Sequence, residues 1–404
     1  MSLRLFKLES ELSLVLKITL LGREILIKPR RSDVVIFDLQ VDLRTIIRPL
    51  SFIVFDPRYK VLFLVPLLQA FFRRVVFGKR GSFTEEYFLH FLQQTKPKLV
   101  ITTIDNSSTF YAVRGIYVKS DCRFVAIQNG CRWLTTMPSS ASSLQSQDMI
   151  LCLTEEYAEE WRKVAPRARV IATGTFASKL PVEKKVRTKN TAGFISTWKI
   201  GHVVQGERRK STHFGEHIRH SDFYAPERTL LPALKSVLNS LGITLHVMGR
   251  SVGLQQEAEF DFYYEILGRE GWKYAPRSKG SPSYSSMWSY DVLFCVTSTL
   301  SYEALALGHT VMFLEVSEGD SFHESPSAVR QPFGYPKPNK HYKSALHLRE
   351  SQVSTWGNQI RTVTSWSKDR LAEEATRVLG KTPMTTSLED LVSLLDLPSQ
   401  VSGK

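Results

Sequence analysis

Short apolar runs alternate with helical patterns along most of this chain, and this alternation limits the folds available to it. In the first half, strand-like runs lie at 33–37, 52–55, 99–104, 123–127, 148–153 and 169–172, and helical patterns cover about 60–76, 84–94, 109–118 and 155–165. After a polar, basic segment the alternation restarts, with strands at 193–196, 243–248, 292–296 and 310–314 and helices at about 224–241, 258–267 and 302–307. Strands that alternate with helices favour parallel sheets covered by helices. We therefore predict an α/β protein with two Rossmann-like, doubly wound domains facing across a cleft.

The polar segment sets the predicted domain boundaries. Residues 1–180 form the N-terminal domain, 181–192 the linker, 193–380 the C-terminal domain and 381–404 a C-terminal tail. A chain of 404 residues is long enough for two domains of ordinary size.

Basic residues outnumber acidic ones, giving a net charge of +14. Such a charge indicates an anionic partner: nucleic acid, an anionic membrane surface, or a phosphorylated or acidic sugar. Nucleic acid is disfavoured because the chain has no zinc-finger spacing, RNP-like strand or basic helix of the usual kinds. The apolar run at 61–72, followed by Arg73 and Arg74, is too short to span a bilayer. It is either a helix that rests on an anionic membrane face or a core helix with a solvated basic end.

The four cysteines show no C-x-x-C pairing, and Cys295 falls inside a strand-like run. The simplest account is a reduced, cytoplasmic protein. If the apolar run at 61–72 rests on a membrane, the protein would lie peripherally on the inner face of the cytoplasmic membrane.

A hydroxyl-rich turn in the second half has the chemistry of a phosphate site. Thr297, Ser298, Thr299 and Ser301 follow a buried strand and precede a helix, and Glu303 lies in the predicted first helical turn. A helix start offers unpaired N–H groups and a partial positive charge, which suit a phosphate beside hydroxyls. Glu303 suits a pair of ribose hydroxyls. The turn therefore indicates a nucleotide at the carboxyl edge of a parallel sheet, although an N-terminal capping box would have a similar pattern.

Two other strand ends in the second half carry groups that suit an anion. Gly249 and Arg250 end one strand, where a guanidinium could clamp a phosphate. Ser196 ends another strand of the same predicted sheet and could meet the phosphate from the opposite side.

Three histidines lie close together at His213, His217 and His220. The four-residue spacing would place two imidazoles on one face of a helix, but Gly215 weakens a helix there and no H-E-x-x-H pattern is present. We therefore predict no metal site and interpret the segment as a polar loop that closes over a ligand.

The chain resembles bacterial glycosyltransferases of the GT-B fold that build surface carbohydrates such as O-antigen and capsule. The residues that carry the resemblance span about 100–315: Thr102–Asn106, Ile127–Arg132, Gly174–Phe176, Phe194–Ser196, Gly249–Arg250 and Ser298–Leu305. The resemblance implies a metal-independent transfer of sugar, without a cofactor, from a nucleotide-sugar donor held mainly by the C-terminal domain. The first strand does not lead into a G-x-G-x-x-G turn, which also moves the donor to the C-terminal half.

Under this resemblance the first half would hold the acceptor, a glycan that is free or linked to lipid. Asp105 ends a strand, and an inverting transfer needs a carboxylate to take the acceptor hydroxyl proton, so we expect Asp105 to be the base unless it only caps a turn. Gln128, Asn129, Gly130 and Arg132 end the next strand and are predicted to bind sugar hydroxyls, or else to form a structural turn.

Three other functions fit the same pattern. These are a polyol-phosphate transferase of teichoic-acid type, a nucleotide-sugar epimerase, and a non-catalytic subunit of glycan assembly. The sequence leaves the sugar, the linkage and the oligomeric state open.

Overall fold

The computed structural model describes residues 24–38, 51–56, 61–78, 82–105, 107–117, 121–130, 147–174, 188–199, 210–213, 216–219, 224–277, 283–296, 298–315, 344–379 and 393–395. The strands and helices of this part of the chain fall into two α/β halves, and the predicted fold class is confirmed.

The N-terminal half contains eight described strands and four described helices. The strands are β1 (Glu24–Leu26), β2 (Val34–Phe37), β3 (Phe52–Phe55), β4 (Val61–Phe63), β5 (Leu99–Thr102), β6 (Arg123–Ile127), β7 (Met149–Cys152) and β8 (Arg169–Ala172). The helices are α1 (Leu64–Phe77), α2 (Phe83–Thr95), α3 (Ser108–Ile116) and α4 (Glu155–Val164).

Six of these strands form one parallel sheet in the order β3-β2-β5-β6-β7-β8. The chain moves outward from β2 to β3 and then returns to the other side of β2 to form β5. The order of strands therefore reverses between β2 and β5, and the carboxyl ends of these two strands border the crevice that such a reversal creates. Alternate residues of the strands are buried on both faces of the sheet, as is expected for parallel sheets covered by helices.

Side-chain caps explain where the helices of this half begin. Ser82 accepts a hydrogen bond from the Glu85 N–H, and the Glu85 carboxylate accepts one from the Ser82 N–H, so α2 begins with a capping box. Ser107 caps α3 and Thr154 caps α4 in the simpler one-sided form.

The C-terminal half contains the remaining strands and helices of the described chain. The strands are β9 (Thr191–Ile195), β10 (Lys210–His213), β11 (Glu216–Arg219), β12 (Thr244–Met248), β13 (Trp272–Ala275), β14 (Val292–Cys295), β15 (Val311–Glu315) and β16 (His347–Arg349). The helices are α5 (Ala225–Ser240), α6 (Gln255–Leu267), α7 (Ser283–Met287), α8 (Thr299–Ala306), α9 (Trp356–Thr364) and α10 (Lys368–Leu379), with a 3₁₀ helix at Glu350–Thr355 before α9.

The second parallel sheet has the order β13-β12-β9-β14-β15-β16. Counted from β9 as the first strand of this sheet, the order is 3-2-1-4-5-6, which is that of the Rossmann fold. The reversal lies between β9 and β14. Strand β9 begins at Thr191, inside the segment predicted as a linker, because Thr191 and Ala192 already pair with β12.

Leu395, the last residue that the structure describes, packs against the N-terminal sheet. Leu395 is buried with Val34, Leu99 and Val125 on one face of this sheet, and its carbonyl accepts a hydrogen bond of 2.7 Å from Arg123. The residues predicted as a C-terminal tail therefore contribute at least one side chain to the core of the N-terminal half.

Two smaller pairings complete the described fold. Strands β1 and β4 pair in parallel, and β4 leads directly into α1. Strands β10 and β11 form an antiparallel hairpin with His213 opposite Glu216. Within the described ranges, no helix combines the length and the apolar character needed to cross a membrane.

Candidate functional site

The carboxyl edge of the N-terminal sheet brings Asp105 next to Asn129. Thr102, at the end of β5, fixes the following turn, because its hydroxyl donates to the Phe37 carbonyl at 3.1 Å and accepts from the Ile104 N–H at 3.0 Å. The Asp105 carboxylate then lies 3.5 Å from the Asn129 N–H, and the Asp105 carbonyl accepts a hydrogen bond from the Tyr111 hydroxyl. Asp105 thus follows a strand that borders the reversal point of the sheet.

Asp105 is fully buried. An acceptor hydroxyl therefore cannot contact its carboxylate in this conformation of the protein. The role of base assigned to Asp105 requires the turn after β5 to open when an acceptor binds.

The side chain of Gln128 holds the turn after β6 in place. It is buried, its amide nitrogen donates to the Gly130 carbonyl at 2.9 Å, and its amide oxygen accepts from the Leu153 N–H at 3.4 Å. Both ends of the amide are thus used within the protein, which leaves Asn129 as the half-buried amide beside Asp105. Arg132 lies outside the described residues.

The carboxyl edge of the C-terminal sheet contains a buried carboxylate that binds backbone amides. Glu259, in α6, accepts hydrogen bonds from the Arg250 N–H at 2.9 and 3.1 Å and from the Ser251 N–H at 2.7 Å. It also accepts from the Tyr274 hydroxyl at 3.0 Å and from the Ser196 hydroxyl. A single side chain therefore holds the loop after β12. Its carboxylate faces the N–H groups of this loop as a bound anion faces a nest of backbone N–H groups.

A second buried carboxylate is linked to the first through two hydroxyls. Glu227, in the first turn of α5, accepts from the Thr197 hydroxyl at 2.8 Å and lies 2.7 Å from the Tyr263 hydroxyl. The Tyr263 hydroxyl lies 2.9 Å from the Ser196 hydroxyl, which donates to Glu259. Burial raises the pKa of Glu227 to about 7, against the lowering effect of its two hydrogen bonds. We call Ser196, Glu227, Glu259 and Tyr263 the carboxylate network.

Two predicted donor residues beside the carboxylate network, Ser196 and Arg250, differ in their exposure to solvent. Ser196 is buried and its hydroxyl is bonded to Glu259, so it supports the edge of the sheet from within. Arg250 is exposed, and its guanidinium donates to the Thr197 carbonyl, two residues after the end of β9, at 3.2 Å. The arginine therefore lies beside the strand that borders the reversal point.

The Tyr274 side chain packs so closely on Gly249 that a side chain at this position would collide with it. A Cβ atom at this position would lie 2.4 Å from the Tyr274 hydroxyl, which itself bonds to Glu259. No other residue type leaves room for that hydroxyl, so Gly249 serves the geometry of the loop.

The helix after β14 begins three residues earlier than predicted. Helix α8 starts at Thr299 with Ser298 as its N-cap residue, and the Ser298 side chain makes no capping hydrogen bond. The capping-box alternative is therefore not realised with Ser298. Ser298 and Thr299 are half-buried at the edge of the sheet, next to the reversal between β9 and β14.

Ser301 and Glu303 are enclosed by the protein. The buried Ser301 hydroxyl donates to the Ser298 carbonyl and so stabilises the start of α8. Because α8 starts at Thr299, Glu303 lies in its second turn, and it is only 3% exposed. Of the predicted donor residues in this turn, Ser298 and Thr299 are half-buried, whereas Ser301 and Glu303 are buried.

The described parts of the histidine segment, 210–213 and 216–219, are extended and not helical. His213 ends β10 and His217 lies in β11, opposite Thr212. The helical spacing that would place His213 and His217 on one face does not occur, and His220 lies outside the described residues. The described residues contain no cluster of three or more His, Cys, Asp or Glu side chains of the kind that binds a metal.

Sequence reasoning missed the carboxylate network, although a signal was present. Glu259 precedes Phe262, Tyr263 and Leu267 by three, four and eight residues, and all four side chains are buried on one face of α6. A glutamate in the apolar stripe of a helix is a buried charge that needs partners. Glu227 gave a weaker signal, because an acid in the first turn of a helix is usually explained by the helix dipole.

Comparison with known proteins agrees with this architecture. A family profile described as "putative O-antigen biosynthesis protein" matches residues 125–368, which is more than half of the chain. None of the curated protein sequences matches the chain.

Several solved structures share the fold at low sequence identity. A "putative UDP-N-acetylglucosamine 2-epimerase" from Listeria monocytogenes superposes with a TM-score of 0.53 at 12% identity, over 90% of this chain and 95% of its own. A co-structure of S. aureus MnaA with UDP gives a TM-score of 0.52 at 12% identity, over 92% and 95% of the two chains. UDP-GlcNAc 2-epimerase from Neisseria meningitidis, bound to UDP-GlcNAc, gives 0.50 at 12% identity, over 90% and 98%.

These similarities show a shared GT-B-like fold of two Rossmann-like domains. The family match goes further because it rests on the sequence itself and covers both the end of the first half and most of the second. The chain belongs to the family described as "putative O-antigen biosynthesis protein".

Proposed function

We propose that this protein is a glycosyltransferase of O-antigen biosynthesis that takes its sugar from a nucleotide-sugar donor bound by the C-terminal half. The observation that carries the proposal is the strand order of the C-terminal sheet, whose reversal between β9 and β14 creates a crevice at the carboxyl edge. Nucleotides bind outside the carboxyl ends of the strands at such reversals. The family match to O-antigen biosynthesis supports a carbohydrate substrate.

The groups at this crevice suit a nucleotide diphosphate. On one side, the first turn of α8 presents backbone N–H groups and the Ser298 hydroxyl, which makes no capping bond. On the other side, the Arg250 guanidinium is anchored at the end of β9 by the Thr197 carbonyl. A guanidinium in this place would neutralise the charge on the leaving phosphate, a task that a metal ion performs in other transferases. Two similar structures contain UDP or UDP-GlcNAc, which makes a uridine nucleotide the first to test.

The acceptor is assigned to the carboxyl edge of the N-terminal sheet. Asp105 would take the proton of the attacking hydroxyl, with Asn129 beside it as a hydrogen-bonding partner for the sugar. Because Asp105 is buried, we expect its turn to open on acceptor binding, which would also keep water away from the base until the acceptor is present.

Titration calorimetry with UDP tests the donor site. Arg250→Lys should weaken UDP binding by roughly tenfold to a hundredfold, because an ammonium cannot replace a bidentate guanidinium. Arg361→Lys, at an exposed residue of α9, is the matched control and should leave binding unchanged. If UDP, GDP, CMP and CDP all fail to bind the wild-type protein, the proposal of a nucleotide donor is wrong, and if Arg250→Lys binds as the wild-type protein does, Arg250 does not contact the donor.

Transfer assays with UDP-, GDP-, CMP- and CDP-linked sugars test the reaction. Asp105→Asn should retain nucleotide affinity and lose sugar transfer, since it keeps the shape of the side chain and removes the base. Turnover by Asp105→Asn at the wild-type rate would remove Asp105 from the mechanism.

A nucleotide-sugar epimerase is the second candidate function. Structures of UDP-GlcNAc 2-epimerases match this chain over nearly the full length of both partners, so the two-domain extent is the same. The two activities are distinguished by incubation with a nucleotide sugar in the absence of any acceptor. An epimerase converts the sugar while it stays linked to the nucleotide, whereas a transferase leaves it unchanged until an acceptor is added.

A further inference from the structure

The outer side of α1 exposes an unusual number of large apolar side chains. Leu64, Leu68, Phe72, Val75 and Val76 are all exposed, with Leu68 at 51% and Phe72 at 63%. Their spacing of four, four, three and one residues places them on one side of the helix, opposite the buried Pro66, Leu67 and Ala70. The helix is therefore apolar on the side that faces solvent as well as on the side that faces the core.

Ile27, the residue after β1, extends this apolar surface at the start of the helix. The Val65 N–H donates to the Ile27 carbonyl at 2.9 Å, so Ile27 lies against the first turn of α1, and its side chain is 75% exposed. We call Ile27, Leu64, Leu68, Phe72, Val75 and Val76 the apolar face. Single exposed apolar residues are ordinary, whereas a contiguous stripe of this kind marks a surface that contacts something.

Basic residues border both ends of the apolar face. Lys28, Arg30 and Arg31 follow Ile27 directly and are exposed. Arg73 and Arg74 lie in the last two turns of α1 and are half-buried, and the first turn of the helix contains no acidic residue. Arg73 faces Glu86 at 3.7 Å, so part of the charge at that end is balanced within the protein.

We propose that the apolar face docks the protein on an anionic lipid surface. A helix of 14 residues is about 21 Å long and lies flat in the interface between head groups and acyl chains. Leu68 and Phe72 would enter the acyl boundary, while Lys28, Arg30 and Arg31 would contact lipid phosphates. A second copy of the chain fits this surface less well, because two apolar faces in contact would bring basic residues of equal sign together.

Flotation with lipid vesicles tests the proposal on the full-length protein. The wild-type protein should bind vesicles of phosphatidylcholine mixed with phosphatidylglycerol and bind pure phosphatidylcholine weakly, and salt should lower the binding. The double variant Leu68→Ser/Phe72→Ser should lose at least about tenfold in affinity for the anionic vesicles. The charge-reversal variant Lys28→Glu/Arg31→Glu should lose the preference for anionic lipid.

Leu254→Ser is the matched control, because Leu254 is 97% exposed but lies outside the apolar face. It should bind vesicles as the wild-type protein does, and all variants should keep the wild-type melting temperature and UDP affinity. The proposal is overturned if the wild-type protein does not bind anionic vesicles, or if the Leu68→Ser/Phe72→Ser variant binds them unchanged. It is also overturned if this variant converts a wild-type dimer into a monomer without any effect on vesicles, since a second copy would then occupy the face. None of these outcomes bears on sugar transfer, which is tested separately.

Discussion

The carboxylate of Glu259 accepts two hydrogen bonds from the backbone N–H of Arg250, at 2.9 and 3.1 Å. A side chain of α6 thereby fixes the backbone of the residue whose guanidinium is proposed to bind the donor phosphate. The side chain of Arg250 is fixed independently by the Thr197 carbonyl. The position of the Arg250 backbone thus depends on a carboxylate that would not itself touch the donor.

Replacing Glu259 by glutamine should destabilise the protein by roughly 1–3 kcal/mol, because it leaves a buried backbone N–H group of Arg250 or Ser251 without an acceptor. The carboxamide accepts through one oxygen only, and its NH₂ group would face the N–H groups of Arg250 and Ser251. UDP affinity should fall as well, since the loop that positions Arg250 loses its anchor. Urea unfolding and calorimetry measure the two effects.

Glu257→Gln is the matched control for this change, because Glu257 lies two residues before Glu259 on the same helix and is exposed. It should alter neither the unfolding midpoint nor UDP binding. Equal stability of Glu259→Gln and Glu257→Gln would show that the Glu259 carboxylate does not hold the loop.

The contribution of Glu227 to the free energy of folding should become less favourable as the pH rises from about 4.5 to about 7. Burial raises the pKa of Glu227 to about 7 in the folded protein, from an ordinary value of 4.5. Between these values the folded state holds a proton that the unfolded chain has released, so each further pH unit costs about 1.4 kcal/mol of folding free energy. Above the folded pKa the cost is constant. The Thr197 and Tyr263 hydroxyls and the Glu259 carboxylate face Glu227 in the network.

Glu227→Gln keeps the neutral form at every pH and should remove this dependence. The variant should resemble the wild-type protein near pH 4.5 and be more stable by about 3 kcal/mol near pH 8. Urea unfolding across this range measures the difference, with the exposed Glu265→Gln as control. A difference that stays constant with pH would mean that the pKa of Glu227 is not raised in the folded protein.

The fold was predictable because parallel strands have a clear sequence pattern. Strand β6 was predicted with its observed bounds and β2 within one residue, since each is a short run of buried apolar residues between turn residues. Strand β4 was not separated from α1, because Val61–Phe63 continues the apolar run into the helix without a break. The strand order, and with it the reversal between β9 and β14, depends on pairings far apart in the chain that local periodicity does not encode.

The candidate site was predictable only in part, for a related reason. A residue at the end of a strand is placed at the edge of the sheet by the pattern alone, as for Asp105 and Arg250. Whether its side chain points outward depends on neighbours from other elements. Ser196 and Ser301 have the same residue type and similar local surroundings to Ser298, yet both hydroxyls are buried and bonded within the protein.

Gly249→Ala should be strongly unfavourable, in contrast to an alanine at Gly357. A Cβ at Gly249 would lie 2.4 Å from the Tyr274 hydroxyl and 2.8 Å from the ring carbon that carries it, so Tyr274 would have to move and release Glu259. At Gly357, in α9, a Cβ would make ordinary contacts at 3.8 Å with Val237. We expect a loss of at least about 2 kcal/mol for Gly249→Ala, and a gain of up to about 1 kcal/mol for Gly357→Ala. Urea unfolding of both variants measures this, and similar stabilities would contradict the packing of Tyr274 on Gly249.

The thiols of Cys122, Cys152 and Cys295 should not react in the folded protein. All three are buried. Cys152 is the last residue of β7 and Cys295 the last residue of β14, so each lies at the carboxyl edge of its sheet. Burial raises the pKa of Cys295 to about 12 and raises that of Cys152 as well, so the reactive thiolate is scarce at neutral pH. The fourth cysteine, Cys131, lies outside the described residues and is replaced by serine for this test. In the Cys131→Ser variant, Ellman's reagent should label no thiol under native conditions and three in guanidinium chloride. Rapid labelling of one thiol in the native variant would show that a strand end opens to solvent, and peptide mapping of the labelled site would identify which half of the protein is involved.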